Sequence, residues 1–263
     1  MNYKEFFSKY PVFTLDELRN AKKDKKEKSV YNSLKYYLQK GRVHNIKRGL
    51  YYVIPEGSSP DKFQPNSILI ASQLSKDSAI SFHTAFEVLG YGHSIFHRFF
   101  YYSPRRKRNF NFRGEEFICV KIPEKLKRKG LEMLGVDKKY FHNQQVKSTN
   151  RERTLIDCLD RPEYAGGIEE VYRCIEKYPY LNFEKLLEYL YARGKKILFA
   201  RVGFFLEQHR EQFYVDKELL EKLHKEQPSS IVYFDPKRRK GKFVKYWNLV
   251  VPEKIILREW EEF

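Results

Sequence analysis

A chain of 263 residues is long enough to bury a hydrophobic core without the help of disulfides or a structural metal. Hydrophobic residues make up 41% of the chain and charged residues 32%, which excludes an intrinsically disordered protein and indicates a folded one. The net charge of +17 favours a polyanionic partner, although basic charge alone does not distinguish DNA, RNA and anionic lipid.

The cysteines and the N-terminus indicate a cytoplasmic protein. Cys119, Cys158 and Cys174 are odd in number, widely spaced and without a C-x-x-C pair, so neither a disulfide framework nor a zinc site is expected. Residues 1–5 lack the apolar run of a signal peptide, and no apolar stretch approaches the length of a membrane span. We therefore expect no membrane partner, no metal and no cofactor.

The first 56 residues predict three helices followed by a pair of strands. Helices are expected over 3–8, 15–21 and 29–39. Thr14 and Glu17 have the spacing of a capping box for the second helix, and Ser29 is expected to cap the third. Two strands follow over 43–46 and 50–53, joined by a turn at 47–49. Pro55, Gly57, Ser58, Ser59 and Pro60 are expected to form a linker.

This order of elements is typical of a winged helix-turn-helix. In the third helix Val30, Leu34, Tyr37 and Leu38 recur at helical spacing and form a buried stripe, so the remaining side chains point outward. Asn and Gln side chains suit adenine edges, and Lys suits guanine or phosphate. The residues expected to contact DNA are Lys25, Lys26, Lys28, Ser29, Tyr31, Asn32, Lys35, Tyr36, Gln39, Lys47 and Arg48.

Residues 65–263 are expected to form a second, mixed α/β domain with a small antiparallel sheet and several helices. Helices are expected over 66–74, 81–89, 150–159, 168–177, 183–193, 197–209 and 217–225. Strands are expected over 96–102, 116–122 and 146–148, and a hairpin over 231–234 and 243–250. The roles of the basic loops at 105–108 and 237–242 are not indicated by the sequence. The predicted fold class is therefore α+β, with an N-terminal winged helix-turn-helix over 1–56.

Three segments resemble the AbiEi-type antitoxins of bacterial toxin–antitoxin and phage-resistance loci. The hairpin VHNIKRGLYYV at 43–53 resembles their wing, and SFHTAFEVLG at 81–90 their first helix after the linker. The most specific stretch is NRERTLIDCLDRP at 150–162, continued by AGGIEEV at 165–171. The basic insert at 105–113 and the tail after Lys237 depart from the family pattern.

The resemblance implies two activities. The N-terminal domain would repress its own operon at inverted repeats in the promoter, so double-stranded DNA is one partner. The C-terminal domain would neutralise a toxin resembling a nucleotidyltransferase. Members are usually assigned to the type IV class, in which direct contact between antitoxin and toxin is not required. The resemblance therefore does not decide whether this chain binds its toxin directly.

The residues of the distinctive stretch indicate a structural role by themselves. Thr149 and Glu152 are expected to form a capping box, and Leu155, Ile156 and Leu159 to face a core. Pro162 stops the helix, and Gly166 and Gly167 turn the chain into the next one. The charged residues are expected to form a network that braces this turn; they are Glu152, Arg153, Asp157 and Arg161.

The main alternative is a nucleic-acid-modifying enzyme, such as a nuclease, targeted by the winged helix. The sequence holds no Glu-x-Lys pair of a restriction-type nuclease, no Asp-x-Asp pair of a nucleotidyltransferase and no phosphate loop. Gly90 and Gly92 lack the third glycine of a dinucleotide motif, and His93 and His97 lack the glutamate of a zinc protease. We therefore expect a regulator rather than an enzyme, with no catalytic residues.

Overall fold

The computed structural model describes residues 1–105, 108–235 and 240–258. Its contacts divide the chain into two compact units, Met1–Thr84 with Phe96–Lys121 and Asp137–Ser148, and Ala85–Ile95 with Ile122–Val136 and Thr149–Phe263. The chain contains both helices and strands, which is consistent with the predicted α+β class. The division does not fall between residues 56 and 65, and a separate domain over 1–56 stays a prediction.

The first unit begins with short helices and an antiparallel sheet. The elements are α1 (Tyr3–Lys9), β1 (Val12–Thr14), α2 (Leu15–Ala21), α3 (Glu27–Gln39), β2 (Val43–Lys47) and β3 (Leu50–Val53). β3 lies between β1 and β2 and runs antiparallel to both. Thr14 ends β1 and also caps α2 through the predicted capping box with Glu17, so strand and helix join without a linker. β1 was not predicted from the sequence.

Aromatic side chains make the core beneath these elements. Phe6 of α1 and Phe13 of β1 are fully buried, and their ring centroids lie 5.2 Å apart. Val30 and Leu34 of α3 are buried in the same cluster, with Tyr37 and Leu38 packed at its margin. The predicted stripe of α3 therefore faces this core, which leaves the opposite side of the helix to solvent.

The chain then forms a larger mixed sheet with helices. The elements are α4 (Ser67–Gln73), β4 (Ala79–Ile80), α5 (Phe82–Leu89), β5 (Arg98–Tyr102), β6 (Phe110–Phe112), β7 (Glu115–Val120), β8 (Val136–Phe141) and β9 (Gln144–Thr149). Its strand order is β6-β7-β5-β4-β9-β8, with β5 parallel to β7 and β4 parallel to β9. β6 and β8 were not predicted, and the predicted basic loop at 105–108 lies partly outside the described residues.

Side chains from the larger sheet hold the N-terminal elements in place. The buried amide of Gln144 donates to the carbonyl of Val12 at 2.8 Å. The guanidinium of Arg113 donates to the hydroxyl of Tyr52 at 2.9 Å. Because Val12 and Tyr52 are paired residues of β1 and β3, these bonds fix the antiparallel sheet to the rest of the first unit.

The second unit is mainly helical. Its helices are α6 (Glu124–Arg128), α7 (Arg151–Asp160), α8 (Ile168–Ile175), α9 (Phe183–Arg193), α10 (Lys196–Gln208), α11 (Lys217–Lys225) and α12 (Glu253–Leu257). Its strands are β10 (Val232–Tyr233), β11 (Lys242–Val244) and β12 (Leu249–Val251), and single 3-10 turns lie at Pro162–Tyr164 and Lys245–Trp247. Within the described ranges, no helix combines the length and apolar character that crossing a bilayer requires.

Two sequence predictions for this unit are wrong in detail. The expected hairpin over 231–234 and 243–250 is not formed, because β12 lies in the middle, parallel to β10 and antiparallel to β11. The basic loop predicted at 237–242 lies partly outside the described residues. Helix α7 is capped by Asn150, whose side chain accepts from the backbone N–H of Arg153, and not by Thr149. The carboxylate of Glu152 instead accepts from the backbone N–H of Asn182 at 2.8 Å.

Candidate nucleic-acid interface

The outward side of α3 carries the residues that the sequence analysis assigned to it. Tyr31 is 56% exposed and Tyr36 is 54% exposed, although large apolar rings are usually covered. The polar residues Asn32, Lys35 and Gln39 are exposed as well. Hydrogen-bonding groups and aromatic rings thus share one exposed helix surface, which is the chemistry that a DNA groove accepts.

The start of α3 differs from the prediction. The helix begins at Glu27, with Lys26 as its cap residue and no side-chain cap hydrogen bond. Ser29 is therefore inside the first turn rather than at the cap, and its carbonyl accepts from the hydroxyl of Ser33 at 3.0 Å. A helix start without a side-chain cap presents backbone N–H groups to water or to an anion. Lys25, Lys26 and Lys28 are exposed around it.

A shallow surface depression of about 590 Å³ brings part of the predicted set together. The predicted residues that line it are Lys26, Lys28, Ser29, Asn32 and Tyr36. Tyr3, Ser33 and Tyr37 complete its wall. Lysine ammonium groups, an amide and a phenol ring thus share one concave surface, which suits a phosphate together with an adjoining base or sugar.

Lys25 belongs to a neighbouring depression instead. It lines that surface with Arg19, Lys22 and Lys23, which the sequence analysis did not select. Lys22 has a structural role, because its ammonium donates to the carbonyl of Met1 and lies 4.3 Å from the ring centroid of Tyr3. Burial, together with the nearby charge of Lys25, lowers the pKa of Lys22. Arg19 is paired with Glu27 at 2.6 Å.

The hairpin between β2 and β3 separates the two cations predicted at its tip. Arg48 is exposed, and Gly49 after it has the positive φ of 80° that this turn uses. Lys47 is only partly exposed, and its ammonium donates to the carbonyl of Leu74 at 3.3 Å. It also lies 5.6 Å from the ring centroid of Phe110. Lys47 therefore anchors the hairpin within the first unit, and Arg48 is the cation that faces solvent at the tip.

The distinctive stretch, 150–162 with its continuation at 165–171, contributes residues to a buried charge cluster in the second unit. Arg153 is fully buried, and its Nε lies 3.3 Å from a carboxylate oxygen of Asp157. The other oxygen of Asp157 accepts from the hydroxyl of Tyr189 at 2.8 Å and from the guanidinium of Arg193. Arg153 also donates to the carbonyls of Glu132 and Leu134, both at 2.7 Å.

The predicted network is thus formed in part, and with partners that the sequence analysis missed. Arg153 and Asp157 pair as expected, whereas Glu152 binds the start of α9 and Arg161 lies 5.4 Å from the ring centroid of Tyr164. Tyr189 and Arg193 come from α9, more than thirty residues away in the chain. Pro162 starts a 3-10 turn as α7 ends, and Gly166 and Gly167 take positive φ values of 82° and 102°.

Asp160, at the end of α7, extends the same cluster. Burial would raise the pKa of its carboxyl, but the charges and hydrogen bonds of Arg193 and Lys195 outweigh burial and hold that pKa below its usual value. The carboxylates of Asp157 and Asp160 are thus paired with basic side chains of the same protein. This arrangement joins α7 to α9 and is typical of structural ion pairs rather than of a metal-binding or acid–base site.

Comparison with known proteins gives a fold but no family. No family model matches the chain, and no curated protein matches it. Its structure is similar to the crystal structure of the RV2827C protein from Mycobacterium tuberculosis, with a TM-score of 0.57 and 16% sequence identity over 98% of this chain and 93% of that chain. At that identity the likeness establishes a shared mixed α/β architecture along nearly the full length of both chains.

Proposed function

We propose that this chain is a DNA-binding transcriptional repressor that also acts as an antitoxin of the AbiEi type. The observation that carries the proposal is the exposed face of α3, where Lys26, Lys28, Asn32 and Tyr36 line one depression beside a helix start without a side-chain cap. Such a surface offers charge for phosphates and hydrogen-bonding groups for base edges at the same time.

The arrangement of the first 53 residues supports a winged helix-turn-helix. The elements follow the order α1, β1, α2, α3, β2 and β3, and β3 lies between the other two strands. In that architecture the third helix enters the major groove and the hairpin lies against the neighbouring backbone or minor groove. Arg48 at the hairpin tip is the cation that would reach this second contact.

The antitoxin part of the proposal rests on the resemblance of residues 150–171 to that family. In this chain the stretch contains α7, whose Arg153 and Asp157 form a buried ion-pair cluster with Arg193 of α9. We assign this cluster the task of holding the second unit in the form that neutralises a nucleotidyltransferase-like toxin. We assign no catalytic role to the chain, because the carboxylates of Asp157 and Asp160 are engaged by arginine and lysine side chains.

A gel-shift titration of the full chain on its own promoter tests the DNA-binding proposal. We expect specific binding whose affinity falls steeply between low and moderate salt, since each neutralised phosphate releases counterions. Lys35→Glu on the exposed side of α3 is expected to weaken binding at least about tenfold. Lys185→Glu, an equal charge change at an exposed position of α9, is the matched control and is expected to bind almost like wild type. Equal losses in both variants, or no binding at low salt, would overturn the proposal.

Co-expression with a nucleotidyltransferase-like toxin tests the second activity. We expect wild type and Lys35→Glu to restore growth equally, because the substitution leaves the second unit unchanged. Loss of protection by a folded Lys35→Glu protein would show that DNA binding and neutralisation are not separate. Turnover of labelled DNA or tRNA by the purified chain with Mg²⁺ would instead favour the enzyme alternative.

A further inference from the structure

The small sheet of the second unit has one buried face and one outward face. Tyr233 of β10 and Phe243 of β11 both pair with Val250 of β12, so these three side chains lie in one row across the sheet. The neighbouring residues Leu249 and Val251 are fully buried and point to the other face. The row is therefore the outward one, and Phe243 within it is 44% exposed.

A second exposed ring follows β11 directly. Tyr246 is 42% exposed, and its ring stacks on His224 with a centroid distance of 4.2 Å and an interplanar angle of 15°. The same ring packs nearly at right angles to the fully buried ring of Trp247, with a centroid distance of 5.0 Å and an interplanar angle of 87°. Gln227 donates to the carbonyl of Tyr246 at 2.9 Å. These contacts fix the orientation of Tyr246 before any ligand binds.

Lysines alternate with these rings. Lys240, Lys242 and Lys245 are all exposed, and none of them forms an ion pair with a residue in the described part of the chain. The sequence from 236 to 252 contains no Asp or Glu and holds six cations, Lys237, Arg238, Arg239, Lys240, Lys242 and Lys245. An aromatic surface in such a basic segment is complementary to a ligand with flat rings and repeated negative charge.

We propose that this surface binds single-stranded nucleic acid, with bases stacking on Phe243 and Tyr246 and phosphates contacting Lys245. Stacking needs bases whose faces are open, which a paired duplex does not offer. Aromatic rings on the open face of a sheet are the device that RNA-binding sheets use to hold unpaired bases. The surface belongs to the second unit, so it is a different site from the proposed duplex-binding face of α3.

Fluorescence anisotropy of the full chain with labelled 15-nucleotide oligo(U) and oligo(dT) tests the proposal. We expect both to bind with a salt-dependent affinity, and Phe243→Ala to weaken binding about tenfold while Phe243→Tyr keeps it near the wild-type level. Tyr246→Leu is expected to weaken binding and Tyr246→Phe to preserve it. Urea unfolding midpoints of each variant equal to wild type show that the surface and not the fold was changed.

A matched comparison separates this site from the first. Lys35→Glu is expected to leave oligo(U) binding unchanged, and Phe243→Ala is expected to leave binding of promoter duplex unchanged. Oligonucleotide binding that is lost with Lys35→Glu but kept with Phe243→Ala would overturn the proposal. The proposal would also be overturned if a duplex of the same length bound as tightly as the oligonucleotide and Phe243→Ala weakened its binding equally. Preferential binding to phosphatidylserine vesicles would overturn it too, because either result identifies a ligand without open bases.

Discussion

The indole ring of Trp247 lies against the Cα of Gly203, where even a methyl group would overlap the ring. Trp247 is fully buried, and its Nε1 donates to Glu207 at 2.7 Å. Because Gly203 and Glu207 are one helical turn apart on α10, the helix provides both the space and the hydrogen-bond partner for the same ring. Because residue 203 has no side chain, Trp247 can pack against α10, and this contact positions the 3-10 turn that leads into β12.

Gly203→Ala is therefore expected to destabilise the protein by about 1–3 kcal/mol, since it overpacks a filled core. The sign of the change in unfolding free energy is the decisive result, because Gly→Ala inside a helix ordinarily stabilises a protein by up to about 1 kcal/mol. The free energy of unfolding from urea titration followed by tryptophan fluorescence checks it. A gain in stability would show that the ring does not occupy this space.

Removing the charge of Asp157 is expected to cost far more than removing a surface charge. Asp157→Asn removes the carboxylate that pairs with buried Arg153 and one of the two carboxylates that pair with Arg193, and breaking such a buried pair costs about 3–5 kcal/mol. Asp16→Asn is the control, because Asp16 forms an exposed pair with Lys76 at 2.8 Å and its loss is expected to change stability little. Chemical denaturation of both variants measures the difference, and equal effects would contradict the structural role of the cluster.

Asp160 gives the protein part of its acid sensitivity. Because its folded-state pKa is lowered by Arg193 and Lys195 against the effect of burial, its contribution to stability is fully present above about pH 4. That contribution is lost as the pH falls through the lowered pKa of the folded state. Unfolding midpoints measured between pH 6 and 2 are expected to fall less steeply for Asp160→Asn than for wild type at the acid end. Parallel curves would show that this carboxyl has an ordinary pKa.

Tyr214 carries a conformational cost that a substitution can remove. Its φ is 53°, in the left-handed region, and its side chain is 89% exposed. Asn tolerates this region better than a bulky residue does, so Tyr214→Asn is expected to raise stability by a few tenths to about 1 kcal/mol. Tyr214→Ala removes the ring but keeps an ordinary Cβ, and is expected to give no such gain. Thermal unfolding compares the two, and a loss of stability with Asn would show that the ring makes a necessary contact.

The hairpin tip offers a matched pair of substitutions for the proposed DNA contact. Arg48→Ala is expected to weaken promoter binding several-fold and to lower the slope of log affinity against log salt by about one. Lys47→Ala is expected to leave that slope nearly unchanged and to lower stability, because Lys47 contacts Leu74 and Phe110 within the protein. The reverse pattern would show that the two side chains exchange roles when DNA is bound.

Elements with strong periodicity and clear ends were predicted closely. The bounds of α9 and α11 agree with the structure, because Asn182 and Asp216 cap them and their apolar residues recur at helical spacing. β1 was missed, since a strand of three residues is defined by its pairing with β3 and not by a local pattern. β8 was missed because its residues are largely polar or charged and are only partly buried.

The same distinction applies to the candidate site. The exposed residues of α3 follow from the position of its buried stripe, so they were predictable from the sequence. The inward orientation of the Lys47 side chain was not predictable, because its partners Leu74 and Phe110 lie far along the chain. Arg193 and Tyr189 were missed for the same reason, since their partner Asp157 is on another helix.

The bonds of Gln144 and Arg113 to the strands β1 and β3 determine how the first unit can respond to a ligand. Because these hydrogen bonds connect the antiparallel sheet to the larger sheet, a duplex bound by α3 would act on both sheets and not on an independently mobile domain. A force that a bound ligand applies to the antiparallel sheet would therefore also act on the larger sheet through these two hydrogen bonds.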